Sequence, residues 1–396
     1  MKLTKTTSIK WFFALMFFEL VVANLAHPAT PTLIKNLQLP NYTFGAAFAA
    51  MSLTNFLFSP FWGRLSDRID RMKVYAISCV GYALGQFLFM LATTEYHIFM
   101  ARGVAGLFIG GIGVTQLTYV MDRSLPQDRA TNLTIHATIF TVAGAVGYLI
   151  GGFLGEISIP LLFMIQVVGL LISGLWMYLK VSDVISIKHI EWNKAELLKA
   201  SNPFSAFTQA SKIMDKWLWI LLAIVLFSTF GSIAYDQSFN YYLKDQLGFS
   251  PSYNGLLKAG FGLLGLIINS TLCIYIIRKT NIKIPLLVTM MSASTLSFLA
   301  YLSTSASIFI ILSIAFFAFN SIYMVLIQTL AGKANRSESS GSFMGLYNSA
   351  KSLGMILGSL VAGMVYGILP GLAFVLAGSM FLFGSGFLGL YLRRKE

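Results

Sequence analysis

The chain has 396 residues, of which 56% are hydrophobic and only 11% are charged, and its mean hydropathy is +0.74. Soluble domains are about 45–50% apolar and roughly 25% charged, so this composition excludes a water-soluble enzyme, a disordered chain and a small secreted module. Cys79 and Cys273 both lie in apolar stretches, which leaves no disulfide framework. The net charge of +13 does not indicate nucleic-acid binding, because the basic residues fall in short segments between apolar stretches. The sequence predicts an all-α polytopic membrane protein.

Twelve apolar stretches are each long enough for a helix to cross a hydrocarbon core about 30 Å thick. The first contains Glu19, His27, Pro28 and Pro31 and lacks a small-residue cleavage site, so we interpret it as a span rather than a signal peptide. The predicted spans are 11–34, 43–62, 74–93, 98–120, 131–154, 159–180, 215–241, 253–277, 285–304, 307–331, 343–366 and 370–391.

Lysine and arginine are distributed unequally between the two sides of these spans. Most of the 28 basic residues fall on one side, whereas the opposite loops carry only Lys35 and Lys244. Positive residues favour the cytoplasmic side of a membrane. The sequence therefore predicts a multi-pass protein of the cell (plasma) membrane with both termini in the cytoplasm, and the compact loops suggest a bacterial source.

The longest hydrophilic stretch divides the spans into six and six. It predicts an N-terminal six-helix bundle at 1–180, a cytoplasmic linker at 181–214 and a C-terminal six-helix bundle at 215–396. Within the linker, the segment EWNKAELLKA at 191–200 has the pattern of an amphipathic helix lying on the membrane surface.

An internal repeat supports the six-plus-six division. LIKNLQLPNYTFG (33–45) follows span 1 and YLKDQLGFSPSYNG (242–255) follows span 7, and the two segments align with one inserted residue. This alignment pairs Lys35 with Lys244 and His27 with Asp236. Two similar halves around a central pathway are typical of transporters.

The loop after span 2 reads GRLSDRIDRMK (63–73) and resembles the G-x-L-x-D-R-x-G-R-K signature of the major facilitator superfamily. It departs from the signature at Asp70 and Met72. The matching residues are Gly63, Leu65, Asp67, Arg68 and Arg71.

Three further segments resemble motifs of the same family. RGVAG (102–106) on span 4 is similar to R-x-x-Q-G, with Ala105 in place of the glutamine. AVGYLIGG (145–152) on span 5 is similar to the antiporter motif G-P-x-x-G-G, with Tyr148 in place of the proline. DRSLPQDR (122–129) fits D-x-x-x-P-x-x-R. The residues kept in the last two segments are Gly147, Gly151, Gly152, Asp122, Pro126 and Arg129.

The resemblance covers the whole chain and is strongest to the 12-span drug:proton antiporters. It implies twelve transmembrane helices in two pseudo-symmetric six-helix bundles and transport by alternating access. By this resemblance Arg102 assists proton movement, although its predicted position near the end of span 4 also fits simple snorkelling.

The loop motif and the glycine motif each have a physical interpretation. Asp67 among Arg64, Arg68 and Arg71 can act as a cytoplasmic gate latch if it meets a helix N-terminus; the alternative is positive-inside anchoring alone. Small residues spaced four apart on span 5 predict a face for close helix packing, with span 8 as the expected partner.

Ionisable residues inside spans are expensive and mark a pathway or a proton relay by default. Glu19 lies about 12 Å inside the first predicted span at 1.5 Å per residue, and we predict that it carries protons. The alternative is an acid permanently paired with lysine or arginine. Asp236 is a second proton-coupling or substrate-binding candidate, or it lines a wet vestibule. The predicted substrate cavity comprises Asn24, His27, Thr229, Ser232, Asn240 and Lys351.

These observations favour a secondary transporter over other classes. The leading hypothesis is proton-coupled efflux of amphipathic organic compounds, and the alternative is transport of an anionic metabolite or lipid-like molecule that Lys351 binds. No nucleophile motif, paired metal-ligand motif or ATP-binding GxxxxGK[ST] occurs, so we expect no enzyme activity, cofactor or metal. The expected partners are the substrate, protons and the lipid bilayer, and the expected functional unit is a monomer.

Overall fold

The computed structural model describes residues 9–125, 127–182, 202, 215–334 and 340–393. These residues form helices joined by short turns, and no strand occurs among them. The helices are α1 (Ile9–Asn24), α2 (Thr30–Asn36), α3 (Thr43–Ser66), α4 (Arg71–Met90), α5 (Glu95–Arg123), α6 (Arg129–Ile157), α7 (Ile159–Lys180), α8 (Lys216–Asp245), α9 (Pro251–Ile268), α10 (Ile274–Lys279), α11 (Lys283–Leu302), α12 (Ala306–Ala334), α13 (Ser340–Ile368) and α14 (Leu372–Leu392).

Twelve stretches of this described part are long and apolar enough to cross a membrane. Each coincides with a predicted span, which confirms the prediction of an all-α protein with twelve transmembrane helices. Two spans are not single α-helices. Span 1 comprises α1, a 3₁₀ turn at His27–Ala29 and α2, and span 8 comprises α9, a π-helical turn at Asn269–Cys273 and α10.

Polar residues begin several of these helices. The side chain of Asp70 accepts hydrogen bonds from Met72 N (2.8 Å) and Lys73 N (3.2 Å) and so caps α4. Ser158 caps α7 and Asp215 caps α8 in the same way. Such caps satisfy amide groups that the first helical turn leaves without partners. The aspartate that departs from the family signature at position 70 thus starts α4.

Proline accounts for the break in span 1. Pro28 lies in the 3₁₀ turn and Pro31 in the first turn of α2, and proline removes a backbone donor that a continuous helix needs. The repeat partner of this segment in span 7 contains no proline, and α8 runs unbroken from Lys216 to Asp245. The two predicted repeats therefore differ where His27 and Asp236 lie.

The exits of spans 1 and 7 do share one backbone feature. Gln38 has φ 52° and Gly248 has φ 67°, and they are the two residues with positive φ in the described part of the chain. Gln38 follows Lys35 by three residues and Gly248 follows Lys244 by four, so the predicted one-residue insertion separates them. A left-handed residue of this kind commonly ends a helix.

The described residues fall into two compact units. The first unit draws on Met1–Leu37, Ala50–Pro203 and Ser250–Gly262, and the second on Gln38–Ala49, Phe204–Phe249 and Leu263–Glu396. The division into bundles at 1–180 and 215–396 stays a prediction. The amphipathic segment at 191–200 and nearly all of the linker at 181–214 lie outside the described residues.

In the first unit α4 packs against α5 and α7, and α1 packs against α6 and α7. Glycines permit these contacts, because a Cβ at Gly85 would lie 2.6 Å from Ala105 N and one at Gly169 would lie 2.8 Å from Val22 Cγ1. Small residues allow helix backbones to approach closely within membranes. The family glutamine that is missing at position 105 is replaced by an alanine at this close approach.

In the second unit α8 packs against α13 and α14, and α11 packs against α12 and α14. Its core is rich in aromatic rings: Tyr235 stacks on Phe316 with 3.6 Å between ring centroids and meets Phe374 edge-on at 5.0 Å. Stacked and edge-to-face rings add stabilisation beyond their buried area. Aromatic packing therefore forms the centre of this unit.

Candidate functional site

Glu19 occupies a buried position on α1, where only 2% of the residue is exposed. Gln116, on α5 and also 2% exposed, donates a hydrogen bond from Nε2 to Glu19 Oε2 at 2.8 Å. No ion pair found among the described residues includes Glu19. The geometry therefore gives this carboxyl group a neutral amide partner and not the lysine or arginine of the alternative interpretation.

Helix α4 also places side chains beside Glu19. Tyr75 and Cys79, one helical turn apart and both fully buried, interact electrostatically with the Glu19 carboxyl group. One turn further along, the Tyr82 hydroxyl donates to Ala23 O at 3.4 Å. Together with Gln116, these residues form a small polar pocket around the acid.

Arg102 on α5 is buried, with 6% exposure. Its guanidinium carbon lies 4.0 Å from the centroid of the Phe89 ring, and Nη2 donates to Thr30 Oγ1 at 3.3 Å. A cation over an aromatic face is stabilised by the quadrupole of the ring. The side chain lies inside the first unit and does not snorkel to an aqueous surface, and neither an ion pair nor a hydrogen bond joins it to Glu19 in the described part of the chain.

The break in span 1 holds two predicted cavity residues. The ring of His27 stacks on Tyr148 of α6 with centroids 5.5 Å apart, and Asn24 Nδ2 donates to Leu20 O at 2.7 Å. Tyr148 is the residue that replaces the proline of the family motif, so the departure from the motif provides a partner for His27.

The three motif glycines on α6 face two different neighbours. A Cβ at Gly147 would lie 2.8 Å from Asn24 Cβ, and one at Gly151 would lie 2.6 Å from the carbonyl carbon of Leu25, both in span 1. At Gly152 it would lie 2.7 Å from Pro251 O, at the start of α9. Close packing against span 8 thus involves Gly152, whereas Gly147 and Gly151 pack against span 1.

The loop motif between α3 and α4 is organised by one buried arginine. Arg71, 5% exposed, forms an ion pair with Asp122 at the end of α5 and a second, at 3.6 Å, with Asp67. The Asp67 side chain is 65% exposed, and Arg129 at the start of α6 is exposed. A Cβ at Gly63 would lie 3.6 Å from Val114 Cγ1 on α5. Arg71 and Asp122 therefore join two of the predicted motifs, while the gating role of Asp67 and Arg68 stays a prediction.

The remaining predicted residues lie in the second unit. Thr229 and Ser232 are buried on α8, where Tyr323 of α12 lies 3.5 Å from Thr229 Oγ1 and donates to Ser228 Oγ at 2.7 Å. Asp236 and Asn240, further along α8, are half-buried. Lys351 is half-buried on α13, and none of the ion pairs among the described residues includes it.

Sequence reasoning misses the buried amides, because it searches the spans for ionisable groups only. Gln116, Gln86 and Gln166 are each at most 2% exposed in the first unit. The sequence does contain a signal for Gln116. It lies fourteen residues after Arg102, and at this separation two residues of an α-helix point within about 40° of the same direction. A search for neutral polar residues on the same helix face as Arg102 would therefore identify Gln116.

A model of the Major Facilitator Superfamily matches residues 12–359. The chain belongs to this superfamily. Its relatives include multidrug resistance protein 2 of Bacillus subtilis (strain 168), 21% identical over 96% of this chain and 94% of that protein, and the quinolone resistance protein NorA of Staphylococcus aureus (strain COL), 23% identical over 89% and 88%. The protein is thus a multi-pass membrane transporter with bacterial relatives, and it is not an enzyme.

Solved structures of transporters share the fold. A bacterial homologue of the human lysosomal transporter Spinster superposes with a TM-score of 0.76 at 14% identity, covering 98% of this chain and 97% of that chain. The xylose transporter XylE from E. coli superposes with a TM-score of 0.73 at 12% identity, covering 98% and 97%. At this level of identity the likeness establishes the architecture and not the substrate.

Proposed function

We propose that this protein exports amphipathic organic compounds across the cell membrane by alternating access, in exchange for protons, with both termini in the cytoplasm and the monomer as the functional unit. The observation that carries the proposal is the burial of Glu19 beside a neutral partner, Gln116, at 2.8 Å.

A carboxyl group in this setting is suited to bind and release a proton once per cycle. An ionised carboxylate is costly in an apolar interior, and no cation among the described residues forms an ion pair with Glu19. The protonated form is therefore favoured while the site is closed, and contact with water favours release. A permanent lysine or arginine partner would hold the acid ionised and so prevent it from binding a proton in each cycle.

Two other features support the same proposal. Arg102 lies buried on α5, the helix that also carries Gln116, which is consistent with a role in proton movement. The relatives named multidrug resistance protein 2 and quinolone resistance protein NorA favour drug-like amphipathic substrates.

The decisive experiment is transport by purified protein in proteoliposomes with an imposed pH gradient. The panel contains lipophilic cations, organic anions and lipid analogues, and proton movement is followed with an internal pH dye. We expect a lipophilic cation to trigger proton movement that Glu19→Gln abolishes. Glu156→Gln, at an exposed carboxyl near the end of α6, is the matched control and should transport normally. Proton-coupled transport that persists in Glu19→Gln would overturn the assignment.

A second candidate is transport of an anionic metabolite or lipid-like molecule. Lys351 favours it, because this half-buried lysine on α13 belongs to none of the ion pairs in the described chain and an anionic ligand would compensate its charge. In the same assay, uptake restricted to anions and lost in Lys351→Ala would establish this candidate in place of the first.

A further inference from the structure

We propose that Gln116 is the positioning residue for Glu19, holding its carboxyl group in one place in both the ionised and the protonated state. This inference rests on the proposed function of Glu19 as the proton carrier. It assigns a role to a residue that belongs to none of the recognised motifs of the chain.

Gln116 is in direct contact with Glu19. Gln116 Nε2 lies 2.8 Å from Glu19 Oε2, and both residues are 2% exposed. They belong to different helices, α5 and α1, and are 97 positions apart in the chain. An amide buried this deeply between apolar helices is costly unless it is hydrogen-bonded, so the pairing accounts for its presence.

The amide of Gln116 can form a hydrogen bond with either protonation state of the carboxyl group. An ionised carboxylate only accepts hydrogen bonds, whereas a protonated carboxyl group also donates one. Glutamine carries a donor NH₂ and an acceptor C=O, and rotation about its last side-chain torsion exchanges them. Gln116 can therefore donate to ionised Glu19 and accept from protonated Glu19 without a change in its own charge.

Other helices of the first unit also present groups to Glu19. From α4 the titratable neighbours are Tyr75, Cys79 and Tyr82, and phenols and thiols have ordinary pKa values of about 8.5 or above. At this level α6 presents Gly147 and α7 presents Gly169 against α1. Glu19 is thus the acid in this pocket whose ordinary titration range lies below neutrality, and the side chain of Gln116 donates a hydrogen bond to it from α5.

Gln166 provides a matched control within the same unit. It is a fully buried glutamine on α7, and its Nε2 donates to Val22 O (3.2 Å) and Ala23 O (2.8 Å) of α1. Both glutamines therefore bond to α1, but Gln116 contacts the Glu19 side chain and Gln166 contacts backbone carbonyl groups. Loss of the Gln166 side chain should lower stability without affecting the protonation of Glu19.

The experiment compares the pH dependence of transport in proteoliposomes for the wild type, Gln116→Leu, Gln116→Glu and Gln166→Leu. Gln116→Leu removes a hydrogen bond from both states of Glu19, and the bond to the ionised carboxylate is the stronger of the two, so we expect the midpoint of the pH profile to rise by about one unit. Gln116→Glu places two carboxyl groups in one site, where they resist joint ionisation, and should raise the midpoint further. Gln166→Leu should keep the wild-type midpoint even if less protein is recovered.

Infrared difference spectroscopy supplies a readout that does not depend on transport. A carboxyl C=O band that is lost in Glu19→Gln should shift in Gln116→Leu and stay in place in Gln166→Leu. An unshifted band and an unchanged midpoint in both Gln116 variants would overturn the inference. Proton-coupled transport that survives Glu19→Gln would instead refute the proposed function, so the two failures are distinguishable. If Gln116→Leu does not fold, the smaller Gln116→Ala, which also removes the amide, takes its place with the same expected shifts in midpoint and band.

Discussion

In the first unit three charged side chains, Glu19, Arg71 and Arg102, are buried, whereas the buried polar residues described in the second unit are serines, threonines and Asn320. The hydroxyl groups of the second unit are largely satisfied by their own helices, as when Ser313 Oγ donates to Phe309 O at 2.8 Å. Buried charge is expensive in a membrane protein, but a hydroxyl bonded to the preceding helical turn is not.

We expect this difference to reflect a division of roles, with coupling in the first unit and structural packing in the second. The first unit keeps charges in positions that packing alone does not require, which is the pattern expected of a coupling site. The second unit fills its interior with stacked rings such as Tyr235 and Phe316 and holds Lys351 only half-buried. If the comparison is right, substitutions around Glu19 and Arg102 in the first unit should alter coupling, whereas substitutions of the buried hydroxyl groups in the second unit should alter stability alone.

The largest predicted loss of stability comes from substitutions at close helix contacts, a feature that both units share. A Cβ at Gly151 would lie 2.6 Å from the carbonyl carbon of Leu25, and one at Gly358 would lie 2.7 Å from Phe230 O. Neither backbone can move aside cheaply, so Gly151→Val and Gly358→Val should each destabilise the protein by about 3 kcal/mol or more. Thermal unfolding of the detergent-solubilised protein measures this.

The controls for these two variants lie on the same helices. A Cβ at Gly144 on α6 or at Gly367 on α13 would meet no atom of the described residues within 4 Å, so valine at either site should leave the unfolding temperature nearly unchanged. If Gly358→Val were tolerated as well as Gly367→Val, the packing of the second unit would be looser than the structure implies.

The next effect concerns the buried arginine of the loop motif. Arg71→Leu removes the ion pairs with Asp122 and Asp67, and hydrogen bonds to charged groups contribute about 1.5–3 kcal/mol, so a loss of about 2 kcal/mol is expected. Asp67→Asn should cost less than about 1 kcal/mol, because its side chain is 65% exposed and exposed pairs contribute little. Chemical denaturation distinguishes the two variants, and equal losses would contradict the ranking.

Arg102 tests whether a buried charge in the first unit serves transport. Arg102→Lys keeps the charge but loses the planar group over Phe89, and the two cations are not equivalent at such a site. We expect about a tenfold fall in transport rate, since a cation–π contact away from water is worth up to about 2 kcal/mol. Phe89→Leu should reproduce most of this fall without touching the charge, and full activity in both variants would show that the contact is incidental.

The sequence predicts the fold well, because length and hydropathy alone define a span. All twelve predicted spans correspond to helices. The sequence does not predict the π-helical turn at Asn269–Cys273. Asn269, at the start of this turn, accepts a hydrogen bond from Ser321 Oγ at 3.1 Å, and a hydropathy pattern does not contain such contacts between helices.

The site is predictable only where a charged residue interrupts an apolar stretch. Glu19 and Arg102 stand out in this way, but the sequence does not show that Glu19 meets Gln116 while Arg102 meets Phe89. Those pairings join different helices and are set by how α1, α4 and α5 pack. The sequence leaves snorkelling of Arg102 open for the same reason, since depth along a span does not say which side of the helix faces protein.

The smallest predicted loss of stability is for Tyr323→Phe, a substitution in the second unit. Tyr323 Oη donates to Ser228 Oγ at 2.7 Å, and hydrogen bonds between membrane helices contribute about 0.6 kcal/mol on average. Tyr323→Phe keeps the ring, which meets Phe381 edge-on at 5.6 Å, so a stability loss of this size is expected with an unchanged pH profile of transport. Tyr75→Phe, at a buried hydroxyl beside Glu19 in the first unit, is the counterpart that should move the profile, because the Tyr75 side chain interacts directly with that carboxyl group. A shifted profile in Tyr323→Phe would mean that hydroxyl groups of the second unit also take part in coupling, and the division of tasks between the two units would have to be abandoned.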